Sequence, residues 1–135
     1  TRFMITLEQG VDLVWEAFED MEEGEIYVKK IPSMNICDIA TAINPNSKQE
    51  IIGIRAGEKV HEQMIGSEDS SYTFEYDGYY KILPVLNDLY KDPNLIKRGK
   101  AVKKGFNYSS DTNTEWMSVD FLKEWVVNFI KEEMR

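Results

Sequence analysis

The chain has 135 residues, 42% of them hydrophobic, and a formal net charge of −8, which suits one globular domain with a buried core. The negative charge argues against nucleic acid as a partner, because neutralising phosphates needs a basic surface. The single cysteine and single histidine exclude an intrachain disulfide framework and leave little for metal binding, and no apolar run reaches the roughly 20 residues of a membrane helix, so we expect a soluble protein of the reducing cytoplasm.

The start of the chain predicts a helix followed by a strand. Apolar residues recur at helical spacing over positions 7–21, with acidic residues mostly on the other side. Thr6 and Gln9 fit a capping box, and Gly24 suits the left-handed position that ends a helix. Residues 25–31 are rich in β-branched and aromatic side chains and predict a strand.

The middle of the chain predicts a second helix, a second strand, a short third helix and a hairpin. Asn35 can cap the helix, which ends before Asn44-Pro45. The isoleucines at positions 51–54 predict the strand, and positions 60–66 the short helix. Alternating aromatic residues on both sides of Asp77-Gly78 predict the hairpin.

The last third is expected to be less regular until its final helix. Cations accumulate between helix breakers over positions 90–105: Lys91, Lys97, Arg98, Lys100, Lys103 and Lys104. We interpret this stretch as a mobile, solvated loop; a phosphate-binding role is the alternative, although a glycine-rich phosphate loop is missing. Ser118 can cap a terminal helix with a broad apolar stripe, typical of a core or subunit interface. The fold class is therefore mixed α/β.

Two arginines lie at the edges of predicted elements. Arg2 precedes an apolar run, and Arg55 ends the predicted second strand, with Glu58 three residues later. A guanidinium offers a fork of donors that suits phosphate oxygens, so two arginines could clamp one diphosphate. The Glu58 carboxylate could accept hydrogen bonds from ribose hydroxyls. From the residues alone, a surface ion pair is the commoner arrangement, and His61 is an ordinary surface or capping histidine.

Four blocks of sequence resemble a known enzyme family. They are TRFMIT at 1–6, KIPSM at 30–34, IGIRAGEKVHE at 52–62 and YSSDTN at 108–113. In this order they resemble the C-terminal part of bacterial inverting UDP-N-acetylglucosamine 4,6-dehydratases, which are extended short-chain dehydrogenases of polysaccharide biosynthesis. Ala56 departs from this resemblance, because the family commonly has proline there, and the change softens the turn.

The resemblance implies a longer parent protein in which two domains have different functions. An N-terminal Rossmann domain would bind NAD or NADP, and the C-terminal region would bind the UDP-sugar, with Arg2 and Arg55 at the diphosphate or uridine and Glu58 at the ribose. The family's dinucleotide fingerprint and catalytic residues belong to the N-terminal domain. This segment therefore has no expected catalytic, cofactor-binding or metal residue, needs no cofactor by itself, and should be inactive alone.

The parent enzyme implied by the resemblance is a cytoplasmic bacterial lyase. It would convert UDP-N-acetylglucosamine to a 4-keto-6-deoxy sugar with inversion at C5, for surface polysaccharide or nonulosonic acid synthesis, and would be a homo-oligomer. We assign residues 1–84 to UDP-sugar binding, 85–117 to a loop-rich segment with the lysine-bearing stretch, and 118–135 to the terminal helix. Two alternatives stay open: a fragment of a UDP-sugar epimerase, and a non-catalytic binding or assembly module on the same scaffold.

Overall fold

The computed structural model of the chain describes residues 1–133, apart from the side chains at positions 87, 132 and 133. The chain divides into two compact units that alternate along the sequence. Unit 1 comprises Thr1–Met4, Pro32–Glu62 and Ser110–Arg135, and unit 2 comprises Ile5–Ile31 and Gln63–Ser109. Each unit has its own small core, so we describe them separately.

Unit 1 combines a two-stranded sheet with two helices. Strand β1 (Arg2–Phe3) pairs antiparallel with β2 (Ser33–Met34) in the register Arg2 opposite Met34. Helices α1 (Ile36–Ile43) and α2 (Val119–Glu133) pack against each other. The core of the unit contains Met34, Ala42 and Leu122. Burial of these apolar side chains fixes β1, and Arg2 with it, against the helical pair.

Unit 2 is built around a four-stranded antiparallel sheet and begins with a long helix. The helix is α3 (Leu7–Asp20). The sheet contains, in spatial order, β3 (Ile26–Lys29), β4 (Tyr79–Ile82), β5 (Thr73–Glu75) and β6 (Lys100–Ala101). A separate pair joins β7 (Gln63–Ile65) to β8 (Tyr108–Ser109), and a short helix α4 spans Pro93–Ile96. The core contains Phe74, Tyr76, Leu83 and Leu95.

Elements with local signals in the sequence are confirmed. Thr6 and Gln9 form the predicted capping box of α3. The side chain of Asn35 accepts a hydrogen bond from the Cys37 backbone at the start of α1, and the Ser118 hydroxyl accepts one from the Phe121 backbone at the start of α2. The strand β3, the hairpin of β5 and β4, and the mixed α/β class are also confirmed.

Three predictions around glycines are wrong. Residues 51–54 form no strand, because Gly53 adopts a left-handed φ of 85° and turns the chain. No helix follows at 60–66; instead β7 forms there, because its backbone pairs with β8, which is distant in sequence. Helix α3 ends at Asp20, before Gly24, and the Glu25 carboxylate accepts hydrogen bonds from the Glu22 and Glu23 backbones.

The cation-bearing segment is more ordered than the predicted mobile loop. It contains α4 and the strand β6, which pairs with β5 at the edge of the sheet. The two compact units also do not follow the three consecutive regions 1–84, 85–117 and 118–135, whose functional division stays a prediction; positions 134 and 135 of the third lie outside the described residues. Within residues 1–133, none of the helices combines the length and apolarity required to span a bilayer.

Candidate functional site

The three residues singled out from the sequence, Arg2, Arg55 and Glu58, all belong to unit 1. Arg2 extends from β1 toward the backbone of residues 59–60. Its Nη1 donates to the carbonyl oxygens of Thr1 at 2.7 Å and Val60 at 3.2 Å, and its Nη2 donates to that of Lys59 at 3.4 Å. These bonds occupy three of the five guanidinium N–H groups. Arg2 therefore ties β1 to the loop that contains the other two residues.

An ion pair adds to the anchoring of Arg2. Its Nε lies 3.4 Å from Glu62 Oε1, and both side chains are about half-buried, with 40% and 44% exposed. Such a partly exposed pair contributes little stability by itself. The pair matters more for orientation. By holding Nε, Glu62 fixes the plane of the Arg2 guanidinium, so that the remaining N–H of this group can face a ligand.

Residues 55–58 form a tight turn that brings Arg55 and Glu58 together. The Glu58 backbone donates to the Arg55 carbonyl at 3.1 Å, and Gly57, third in the turn, has a φ of 85°. A positive φ at the third position is typical of a type II turn, whose second position favours proline. The presence of Ala56 at that second position is compatible with this geometry and leaves the turn less constrained.

The charges of this turn are held loosely. Glu58 Oε2 accepts a hydrogen bond from the Arg55 backbone at 3.0 Å, whereas the Arg55 Nη1 to Glu58 Oε1 distance is 3.8 Å. The Arg55 side chain is 74% exposed. The surface ion pair considered from the sequence is thus present but weak, so the guanidinium can exchange it for a ligand oxygen at small cost.

A set of hydroxyl contacts that the sequence did not predict supports the site. Thr1 Oγ1 lies 2.8 Å from His61 Nδ1 and 2.6 Å from the oxygen of Ser110. The Ser110 hydroxyl also accepts from the Glu62 backbone at 2.9 Å, and Ser110 is fully buried. Ser110 therefore joins β1 to the end of the 55–62 loop. Its only signal in the sequence was membership of the block 108–113.

The charged groups of this surface are two guanidinium groups and the carboxylates of Glu58 and Glu62. Within residues 1–133, no group of three or more histidine, cysteine, aspartate or glutamate side chains is placed to hold a metal ion. Two guanidinium groups, one anchored and one exposed, are donors for phosphate oxygens. Glu58 adds an acceptor at the same turn.

Comparison with known proteins gives matches along the chain. A family model described as "Polysaccharide biosynthesis protein" matches residues 1–84, which include Arg2, Arg55 and Glu58. The inverting UDP-N-acetylglucosamine 4,6-dehydratase of Campylobacter jejuni serotype O:2 is 50% identical over 92% of this chain and 39% of its own length. A UDP-glucose 4-epimerase of Rickettsia felis is 34% identical over 100% of this chain and 41% of its own length.

A solved structure has a similar fold. The X-ray structure of Pen from Bacillus thuringiensis superposes with a TM-score of 0.72 at 27% sequence identity. The similarity covers 93% of this chain and 36% of that one. The chain thus spans about two fifths of the length of the curated relatives it matches and about a third of this structure.

Proposed function

Because the chain belongs to the polysaccharide biosynthesis protein family, we propose that it is the UDP-sugar-binding part of an inverting UDP-N-acetylglucosamine 4,6-dehydratase. The observation that carries this proposal is the 50% identity to the Campylobacter jejuni dehydratase over 92% of the chain. The arginine-bearing surface of unit 1 supports it, since a UDP-sugar presents a diphosphate and two ribose hydroxyls.

Each residue of the site has a separate role in this proposal. Arg55 leaves its loose contact with Glu58 and donates to a phosphate oxygen. Arg2 holds the loop backbone and directs its remaining N–H toward the same diphosphate. Glu58, released from Arg55, accepts hydrogen bonds from the ribose. Binding the UDP handle in this way orients the hexose for reaction, which lowers the barrier through positioning.

The chemistry in the whole enzyme belongs to a second, N-terminal part with a Rossmann fold. NAD or NADP held there would supply oxidation at C4 and return of the hydride after loss of water across C5 and C6. The present sequence contains no glycine-rich dinucleotide fingerprint, so the cofactor does not fit these residues, and none is assigned to it. We expect the chain alone to be catalytically inactive and the whole enzyme to act in the bacterial cytoplasm.

Helix α3 offers a surface for the Rossmann part. Its apolar face is exposed, with Leu7 at 81%, Trp15 at 63% and Phe18 at 66% exposure. An apolar helix face of this extent is uncommon on a free surface and is typical of a docking site. The terminal helix α2 exposes Phe129 as well, and we assign that face to contacts between copies in a homo-oligomer.

The UDP-glucose 4-epimerase similarity supports a second candidate. It extends over the whole chain at 34% identity, so an epimerase would use the same UDP surface. Both candidates share the substrate class, and they differ in the hexose carbons that are changed overall: C4 in a 4-epimerase, and C4, C5 and C6 in the dehydratase. The higher identity to the dehydratase favours the first.

Titration calorimetry with UDP tests the proposed surface. We expect the 135-residue chain to bind UDP and Arg55→Gln to bind about tenfold more weakly, because a charge-assisted hydrogen bond is lost. Lys48→Gln, which removes an exposed cation of the same unit, should bind UDP as tightly as the unmodified chain does. Equally weakened UDP binding in both variants, or no UDP binding by the unmodified chain, would contradict a UDP surface formed by these residues.

A further inference from the structure

Unit 2 contains a polar cavity that has no part in the proposed function. Its volume is about 490 Å³, and it is lined by Lys30, Glu75, Tyr76, Asp77, Arg98 and Lys100. We propose that this cavity binds a small phosphate monoester that carries hydroxyl groups. Its size is within the range of small-ligand sites, and it presents three cationic and two anionic side chains in a protein of net charge −8.

Two of the cations remain available for a ligand. Lys30 is already engaged, with its Nζ 2.8 Å from Glu75 Oε1 and 2.9 Å from the Tyr76 carbonyl oxygen. By contrast, among the side chains that the structure describes, no carboxylate lies within ion-pair distance of Arg98 or Lys100. Arginine and lysine together are the usual donors to a phosphate group.

The backbone that carries these cations is strained. Lys97, which immediately precedes Arg98, has φ 52° and ψ −118°, a conformation that a residue with a side chain rarely adopts. Ion pairs hold it there: its Nζ lies 2.6 Å from Asp20 Oδ1 and 3.4 Å from Glu22 Oε1. Strain that the surroundings maintain in this way is concentrated at ligand-binding sites.

Close packing fixes Gly99, the residue that follows Arg98. A Cβ added to Gly99 would lie 2.4 Å from the ring of Tyr76, so only glycine lets the segment approach this closely. The Tyr76 hydroxyl donates to the Ile96 carbonyl at 2.7 Å and secures the same approach from the other side. Lysines on an edge strand can serve merely to prevent pairing with other sheets, but that task needs neither the strain nor the contact at Gly99.

The carboxylates give the class of ligand. Asp77 lies at the turn of the hairpin, and Glu75 is opposite Lys100 in the register of β5 and β6. Carboxylates repel a phosphate but accept hydrogen bonds from hydroxyls, so a ligand with both groups can use both kinds of side chain in the cavity. A sugar phosphate is the simplest molecule of this kind.

Amide chemical shifts measured by NMR can test the site with glucose 6-phosphate, inorganic phosphate and glucose as probes. The Arg55→Gln background removes the proposed UDP surface. We expect glucose 6-phosphate to shift residues 75–78 and 98–100 and to bind more tightly than inorganic phosphate, with no shifts from glucose. Arg98→Gln should weaken binding about tenfold. Lys104→Gln removes a charge from the same segment but outside this cavity and should change affinity less than about twofold.

Three results would overturn the proposal. Absence of shifts at millimolar glucose 6-phosphate would exclude the site, and equal loss in Lys104→Gln would show nonspecific attraction to the segment. Tighter binding of inorganic phosphate than of the ester would refute the role of the carboxylates. Gly99→Ala supplies a second variant, which should reduce affinity while the shifts of unit 1 remain unchanged.

Discussion

Unit 1 and unit 2 use charged residues in opposite ways. In unit 2, the ammonium of Lys81 is fully buried and lies 2.5 Å from Asp20 Oδ2, while Tyr27 donates to the same oxygen at 2.7 Å. In unit 1, Arg55 is 74% exposed and 3.8 Å from its carboxylate. A buried charge depends on its partner for stability, whereas an exposed and loosely paired one stays available for a ligand. The comparison therefore distinguishes charged residues that stabilise the fold, such as Lys81, from charged residues that can bind a ligand, such as Arg55.

The pKa values of the network in unit 2 reflect this dependence. Burial by itself raises the pKa of Asp20, but hydrogen bonds from Lys81, Lys97 and Tyr27 outweigh it and hold the pKa well below its ordinary value. Burial, followed by the hydrogen bond to Asp20, raises the pKa of Tyr27 above its ordinary value. Burial likewise raises the pKa of Tyr76 to about 12. Asp20 therefore stays ionised, and Tyr27 and Tyr76 stay protonated, across the physiological pH range.

The largest effect is expected from Asp20→Asn. This change leaves the buried Lys81 ammonium without its counterion, and we expect a loss of about 3 kcal/mol in the free energy of unfolding. Urea denaturation followed by circular dichroism measures it. Asp120→Asn is the matched control, because Asp120 is 94% exposed, and its pairing with Lys123 should not affect the midpoint. A loss in Asp20→Asn no greater than in the control would break the comparison.

Acid should reproduce part of that loss. Because the folded pKa of Asp20 lies below its unfolded value near 3.8, the carboxylate stabilises the fold fully above that pH and progressively less below it. As the pH falls from about 4 to about 2, we expect the free energy of unfolding to decrease more steeply in the unmodified chain than in Asp20→Asn. Parallel pH profiles for the two proteins would show that Asp20 has an unshifted pKa.

A smaller effect is expected from Ser110→Ala in unit 1. The change removes the shared partner of the Thr1 hydroxyl and the Glu62 backbone, at a cost of about 1–2 kcal/mol. It should also weaken UDP binding, because the loop keeps its direct bonds to Arg2 but loses the second link, from Glu62 through Ser110 to Thr1. Ser47→Ala, which removes an exposed hydroxyl bonded to the Asn44 carbonyl, serves as the control for both measurements. Unchanged UDP affinity would show that the exposed arginines do not need this support.

The smallest effect is expected from Ala56→Pro. Proline fits the second position of a type II turn and restricts the unfolded chain, so we expect a gain of about 0.5 kcal/mol. Thermal unfolding measures the gain, and UDP affinity should rise slightly because the turn is better fixed. Gly57→Ala in the same turn should have the opposite effect, since its φ of 85° is unfavourable for alanine. Destabilisation by Ala56→Pro would contradict the assigned turn type.

The sequence predicted what depends on near neighbours. The caps at Thr6 and Asn35 and the hairpin turn at Asp77-Gly78 involve contacts within a few residues, and all three are present. The approach of Arg55 and Glu58 was foreseen for the same reason, since the two residues are three positions apart. Local chemistry was therefore enough for helices α1, α2 and α3 and for the Arg55–Glu58 part of the candidate site.

The remainder depends on contacts between distant parts of the chain. The isoleucine-rich residues 51–54 have the composition of a strand, but they have no partner strand in the described structure, and β7 forms only because β8 pairs with it. Two of the three carbonyls that hold Arg2 lie 57 and 58 positions away along the chain. Likewise, the conformation of Lys97 depends on Asp20, 77 positions away. Periodicity within a window cannot predict such contacts.

The interleaving of the two units affects how the chain can fold during its synthesis. Arg2 is synthesised well before Ser110, which contacts Thr1 from 109 positions further along the chain. Unit 1 also takes helix α2 from residues 119–133, so it cannot complete its core until that helix has been synthesised. Until then Met34 and Ala42 of the unit 1 core lack Leu122, the apolar side chain of α2 that packs against them. Partly folded chains with exposed core residues are prone to aggregate, and chaperones bind chains of this kind.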